Sequence, residues 1–227
     1  MRLSVIVPIW NEESALPLLL AELREQCAVP DCELVLVDGG STDGTQRLLR
    51  ESGVAWIVSE RGRATQMNAG AAASGAEVLL FLHADTRLPA DWKAIVFEAI
   101  ESGHVGGFFR VRLDSPRSIL RVVGQLITLR SRLTGVATGD QGLFVTRQVF
   151  ESTGGYAPLP LFEDVELAQR LKRFGGLARL DATVVTSARR WEQLGPWRTI
   201  VRMCVLRAMY TLGTGPERLA RYYETAR

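Results

Sequence analysis

With 227 residues, 47% of them apolar and 23% charged, the chain has ordinary globular composition and is long enough to bury a substantial core. A formal charge of +2 argues against a nucleic-acid partner, and no stretch approaches the roughly 18 to 20 apolar residues that span a bilayer, so any membrane contact is expected to be peripheral. Cys27, Cys32 and Cys204 form no CxxC pair and have no histidine cluster beside them, which excludes a disulfide framework or zinc site as a reading and suits a reducing, cytoplasmic setting.

Strand, helix, strand is the recurring pattern from the start, which predicts an α/β fold with a mostly parallel sheet and helices on both faces. Leu3 to Pro8 reads as the first strand. Asn11 is placed to cap a helix whose Ala15, Leu16, Leu19, Leu20 and Leu23 recur at helical spacing. Glu33 to Val37 is a second strand ending at Asp38, after which Asp43 and Gln46 form a pair resembling a capping box. A short strand over Val54 to Val58 leads through Arg61-Gly62-Arg63 into a helix from Ala64 to Ala73.

The unbroken apolar run Val78 to Leu82 is the central strand, buried on both faces and meeting water at His83 and Asp85. Pro89 opens a helix to Ser102, and Val105 to Leu113 is a longer strand. Beyond it the simple alternation breaks. Ser115 to Leu133 is an amphipathic basic helix, Gly142 to Thr146 a strand, Glu163 to Phe174 a helix, and Leu177 to Thr186 one or two strands. Trp197 to Leu212 is a second arginine-studded amphipathic helix.

Ligands of open α/β sheets sit beyond the carboxyl ends of the strands, so the acids there are candidates for chemistry. Asp38 lies beside two glycines, where a base or ribose can approach. Arg61 and Arg63 precede a helix N-terminus, which suits a phosphate. Asp85 alone can hold Mg2+ when a diphosphate supplies further oxygens, and His83 is a candidate second ligand that would favour Mn2+. Glu163-Asp164 starts a helix, and one of these acids is placed to act as general base.

Taken in order, Ser4-Val5-Ile6-Val7-Pro8 with Asn11-Glu12, Val37-Asp38-Gly39-Gly40-Ser41-Thr42-Asp43-Gly44-Thr45, His83-Ala84-Asp85, Gly139-Asp140-Gln141-Gly142 and Phe162-Glu163-Asp164-Val165-Glu166-Leu167 resemble the family 2 glycosyltransferases of the GT-A fold. The wording Gly62-Arg63-Ala64-Thr65-Gln66-Met67-Asn68 looks most like the subgroup called radical-SAM/selenodomain-associated transferase 2. The resemblance implies one GT-A domain over 1–227: a nucleotide-sugar half in 1–110, an acceptor half in 111–190 and a helical tail in 191–227. It further implies a UDP-sugar donor, a divalent ion and transfer of one sugar with inversion to a hydroxyl acceptor.

By that resemblance Pro8, Asn11, Glu12 and Asp38 line the nucleoside pocket, with Trp10, Arg61, Arg63, Gln66, Asn68, Ala84 and Arg190 also on the donor side. Asp85 binds metal and Asp164 is the base. Gly139, Asp140, Gln141 and Trp191 face the acceptor. The family's D-x-D is here His83-Ala84-Asp85, and its Q-x-x-R-W is Ser187-Ala188-Arg189-Arg190-Trp191, which favours single transfer over polymer synthesis. The competing readings are a sugar-phosphate nucleotidyltransferase and a catalytically silent nucleotide-binding protein. The two basic helices leave peripheral contact with the inner membrane face, or a homodimer interface, as expectations.

Overall fold

The computed structural model describes residues 1–224. The first half alternates as its hydrophobic pattern requires: β1 (Leu3–Ile9), α1 (Leu16–Gln26), β2 (Cys32–Asp38), α2 (Thr45–Ser52), β3 (Trp56–Val58), α3 (Arg63–Ala73) and β4 (Val78–Phe81). The next stretch holds β5 (Thr86–Arg87), α4 (Trp92–Glu101), β6 (Gly106–Asp114), α5 (Ser118–Thr134), a single 3-10 turn at Gly139–Gln141, β7 (Leu143–Thr146) and α6 (Arg147–Ser152). After these come α7 (Glu163–Leu171), β8 (Leu177–Ser187), α8 (Arg189–Leu194), α9 (Pro196–Thr211) and α10 (Pro216–Glu224).

All eight strands join one sheet in the order β3-β2-β1-β4-β7-β6-β8-β5. The pairings within β3-β2-β1-β4 are parallel, as is β6 with β8, whereas β7 runs against both β4 and β6, and β5 against β8. Successive side chains of a strand point to opposite faces, and both faces here are covered. Val5, Val7, Leu36 and Leu80 pack under α1 and α4 with Leu16, Leu19, Trp92 and Val96, while Ile6, Val37, Leu79 and Phe81 pack under α3 with Ala64, Met67 and Ala71. Gly70 lets α3 settle this close, since a Cβ there would lie 2.4 Å from Ile6 Cγ2. β4 lies between β1 and β7, so every one of its side chains is buried.

Several local expectations change. Asn11 caps no helix: its φ is +53°, α1 begins at Leu16, and the Asn11 side chain is drawn to the loop after β2 instead. Gln46 does not reach back to Asp43; its Nε2 donates to Asp38 Oδ2 at 2.9 Å instead. Helix α4 starts at Trp92 rather than Pro89, and α7 ends at Leu171, leaving Phe174 half-exposed beyond it. The region Leu177–Ser187 is one strand, with its register against β6 shifting between Phe108 and Arg110. The short elements β5, α6, α8 and α10 have too few periodic residues to announce themselves in sequence. Cys27 and Cys32 are buried free thiols that touch, with their sulfurs 3.1 Å apart.

The topology gathers the site. β1, β2 and β4 run parallel, so their carboxyl ends share one edge, and antiparallel β7 brings the Gly139–Gln141 turn that precedes it to that same edge.

Candidate active site

The loops after β1 and β2 are laced together before any ligand is considered. Thr42 N donates to Asn11 Oδ1 at 2.8 Å, Asn11 N to Ser41 Oγ at 2.9 Å, and Glu12 N to Thr45 Oγ1 at 2.9 Å. Asp38, in register with Ile9, is fully buried, and its carboxylate accepts from Ser41 Oγ at 2.5 Å and from Gln46 Nε2. At the rim, the guanidinium of Arg61 lies 3.5 Å from the centre of the Trp10 ring, a cation–π contact beside half-buried Pro8. Gln66 is buried with Nε2 donating at 2.8 Å to both Ile9 O and Val37 O, and Asn68 exchanges hydrogen bonds with the Tyr156 backbone. Both amides expected on the donor are thus committed to main chain, Gln66 at the ends of β1 and β2 and Asn68 at the loop that carries Tyr156.

Beyond β4 the acids gather. Asp85 is half-buried beside buried Ala84, and desolvation pushes its carboxyl up while Arg189, Arg190 and Arg63 pull it down. Glu12 is raised by burial first and by the Asp85 charge second, and its Oε2 lies 3.6 Å from Arg189 Nη2 yet accepts no hydrogen bond. Glu163 is buried 3.5 Å from Arg63 Nε, and desolvation raises its pKa against the pull of that arginine. Asp164 Oδ2 accepts from Gly139 N at 2.5 Å and its Oδ1 from Val165 N at 2.7 Å. His83 turns its buried, unpartnered Nε2 toward the same place: a Cβ on Gly139 would sit 2.6 Å from that nitrogen and 3.5 Å from Asp164 Oδ2. Burial, then Arg63 and Arg190, drives the His83 pKa down to about 3, so the ring is neutral.

Arg63 therefore acts on Glu163, His83 and Asp85 at once, which joins the β4 end to the start of α7 in one mouth. A divalent ion suits the Asp85 side of it on the donor set's own chemistry. Two carboxylates, Glu12 and Asp85, are desolvated together there, and a buried Glu12 oxygen lacks a partner. Among the described residues no three His, Cys, Asp or Glu side chains form a cage. His83 faces Gly139 and Asp164, so the arrangement gives it a place on the α7 side of the mouth.

The residues expected on the acceptor side divide. Gly139 and Asp140 lie at the mouth, with a buried Asp140 Oδ1 that has no partner. Gln141 is buried, accepting from Ser131 Oγ and donating to Phe109 O, so it holds the turn. Trp191 packs against the cluster of Leu113, Leu120 and Val123, and Arg190 sits over the Tyr223 ring at 4.9 Å. Three cations missing from the expected set also face the mouth. Arg189 reaches Glu12, and Arg130 and Arg207 share the field of Asp140 and Asp164, the burial of Arg130 lowering its pKa to about 10. Their sequence signal was phase: Arg130 falls seven residues after buried Val123, and Arg207 seven after Ile200, on the inward faces of α5 and α9.

The same architecture occurs in solved structures. A mannosyltransferase from Pyrobaculum calidifontis in complex with GDP-Man and Mn2+ superposes over 95% of this chain and 66% of its own, with a TM-score of 0.70 at 23% identity. Glucosyl-3-phosphoglycerate synthase from Mycobacterium tuberculosis, solved with Mn2+, UDP and glucosyl-3-phosphoglycerate, matches over 82% of this chain and 70% of its own, with a TM-score of 0.58 at 19% identity. The fold is therefore that of the GT-A glycosyltransferases. Within that class the chain belongs to glycosyl transferase family 2, whose family model matches residues 4–150.

Curated relatives include the undecaprenyl-phosphate 4-deoxy-4-formamido-L-arabinose transferases of Pseudomonas fluorescens (strain Pf0-1), 35% identical over 61% of this chain and 44% of that protein, and of Klebsiella pneumoniae (strain 342), 30% identical over 62% and 46%. The matched region covers less than half the length of these relatives.

Proposed function

We propose that this chain transfers a single sugar from a UDP-sugar to an acceptor hydroxyl, with inversion at the anomeric carbon. The observation that carries the reading is the convergence of Asp85 and Asp164 on one mouth through Arg63 and His83. Family membership and the nucleotide and Mn2+ complexes of its structural neighbours support the same class of chemistry.

The donor's nucleoside lies between the laced loops after β1 and β2, under Trp10 and Arg61, with Asp38 bracing the floor. Its diphosphate faces Arg63 and Arg189, whose charges offset the negative charge that grows on the leaving group. Asp85, with Glu12 beside it, is the residue to hold a divalent ion, which would supply Lewis-acid stabilisation of the departing diphosphate. The acceptor oxygen forms its bond to the anomeric carbon as the bond to the diphosphate breaks, the electron pair leaves with the diphosphate, and the acceptor proton passes to Asp164. Asp164 rather than Glu163 takes that part, because Glu163 is buried against Arg63 whereas Asp164 is aimed across Gly139 by two backbone donors. Glu163 then positions Arg63.

Calorimetric titration with UDP and Mn2+ tests the assignment. Wild type should bind UDP only with metal, Asp85→Ala should weaken that binding, and Asp164→Asn should bind UDP normally while transfer falls by roughly a hundredfold or more. Equal UDP affinity with and without Mn2+ would take the ion out of the mechanism, and pyrophosphate rather than UDP as product would mark a nucleotidyltransferase.

A further inference from the structure

Helices α5 and α9 expose apolar side chains that the fold leaves uncovered. On α5, Val122, Leu126, Leu129 and Leu133 are between 46% and 74% exposed, and their spacing puts them on one face. On α9, Trp197, Val201 and Val205 are between 51% and 69% exposed and likewise share a face, with exposed Cys204 and Ala208 among them, and Leu212, 86% exposed, follows at the end of the helix. Seven of the fourteen large hydrophobic residues that are exposed among the described ones lie on these two helices, and Leu212 follows directly after α9, so the pattern is a patch rather than the scatter that any surface shows.

The two helices meet through one cluster. Ile200 of α9 packs against the cluster that Leu120 and Val123 of α5 form with Leu113 and Ala188, and about two turns further along each helix the charge of Arg207 acts on Arg130. The charges fit one partner. Neither helix contains an Asp or a Glu, and Arg117, Arg121 and Arg198 stand exposed beside the apolar stripes. A second copy seated on this face would bring arginines against arginines with no carboxylate on either helix to meet them. An anionic lipid surface meets both features, because acyl chains accept the stripes and headgroups accept the guanidiniums, with Trp197 at the boundary where its ring is favoured.

We propose that the outer faces of α5 and α9 form a docking surface for an anionic bilayer, on which the chain lies without crossing it. The inner faces of the same helices carry Arg130 and Arg207 to the mouth, so docking sets the acceptor side of the site beside the bilayer. No helix of the described residues is long and apolar enough to span a membrane, so attachment of this region is by its surface.

Flotation of the whole chain with phosphatidylcholine vesicles, with and without phosphatidylglycerol mixed in, tests it. Wild type should float only with the anionic vesicles and be released by high salt. The pair Leu129→Gln with Val201→Gln, and separately the pair Arg121→Gln with Arg198→Gln, should each weaken partitioning by roughly tenfold, with unchanged circular dichroism and melting. Two results overturn the proposal. One is wild type remaining unbound on both vesicles. The other is a dimer in light scattering that the apolar pair of substitutions makes monomeric, which would give the face to a second copy.

Discussion

At the scale of the residue, two neighbouring acids have been given different environments by a single turn of helix. Phe162, at φ +64°, turns the chain so that Glu163 goes inward to Arg63 and Asp164 outward to Gly139. Burial raises the Glu163 pKa above its ordinary 4.5, with Arg63 opposing and Asp164 adding to the shift. Between 4.5 and that raised value the folded chain holds a proton that the unfolded chain has released, so the contribution of Glu163 to stability is fully present at low pH and is lost as pH rises through the window. Glu163→Gln has no such loss. Its melting temperature relative to wild type should therefore be more favourable at pH 7 than at pH 4, and the reverse order would show that Arg63 outweighs burial at this position.

The identities of the acids at strand ends were legible in the sequence because a carboxylate after an apolar run has few other reasons to be there. The committed amides of Gln66 and Asn68 were not, since a side chain that hydrogen-bonds a buried carbonyl and one that meets a ligand have the same letter. Arg130 and Arg207 were hidden for a related reason: on a basic amphipathic helix an inward arginine is noticed only when its phase is compared with that of the buried residues.

At the scale of the element, the first half of the chain followed its pattern because each βαβ unit is local and its apolar residues repeat with one period. The second half did not, because strand β7 pairs antiparallel to β4 across more than sixty residues of sequence and its partners are chosen by the sheet, not by the segment. The helix placement that matters most for the site is α3, which carries Arg63, Gln66 and Asn68 and rests directly on β1 and β2. Its approach is set by Gly70, where an added methyl would lie 2.4 Å from Ile6 Cγ2 and 3.0 Å from Val37 Cγ2. Gly70→Ala gains helix propensity, but overpacking of this kind costs about 1 to 3 kcal/mol and should dominate. Urea unfolding should show that loss. A more stable Gly70→Ala chain would mean that α3 can lift without penalty and that its seat does not set the position of Arg63.

At the scale of the molecule, the mouth draws residues from both ends of the chain, so it exists only if the two halves of the sheet form together. One buried cluster argues that they do: it runs from Leu3, Val5 and Leu36 through Leu80 to Phe109, Val111, Phe144 and Val184 without a break. The β4–β7 pairing lies in its middle, where Leu80 stands opposite Phe144. A chain of this length is beyond the size at which a single cooperative transition is the default. A continuous core removes the usual reason for an intermediate, because neither half can lose its strands without exposing the inner face of the other. Trp92 lies in that shared core and Trp191 against the α5 cluster, so variants keeping only one or the other report on different regions. Their urea transitions, followed by fluorescence, should share one midpoint. An earlier transition at Trp191 would separate the helices packed around it from the core and make the site a contact between two independently stable parts.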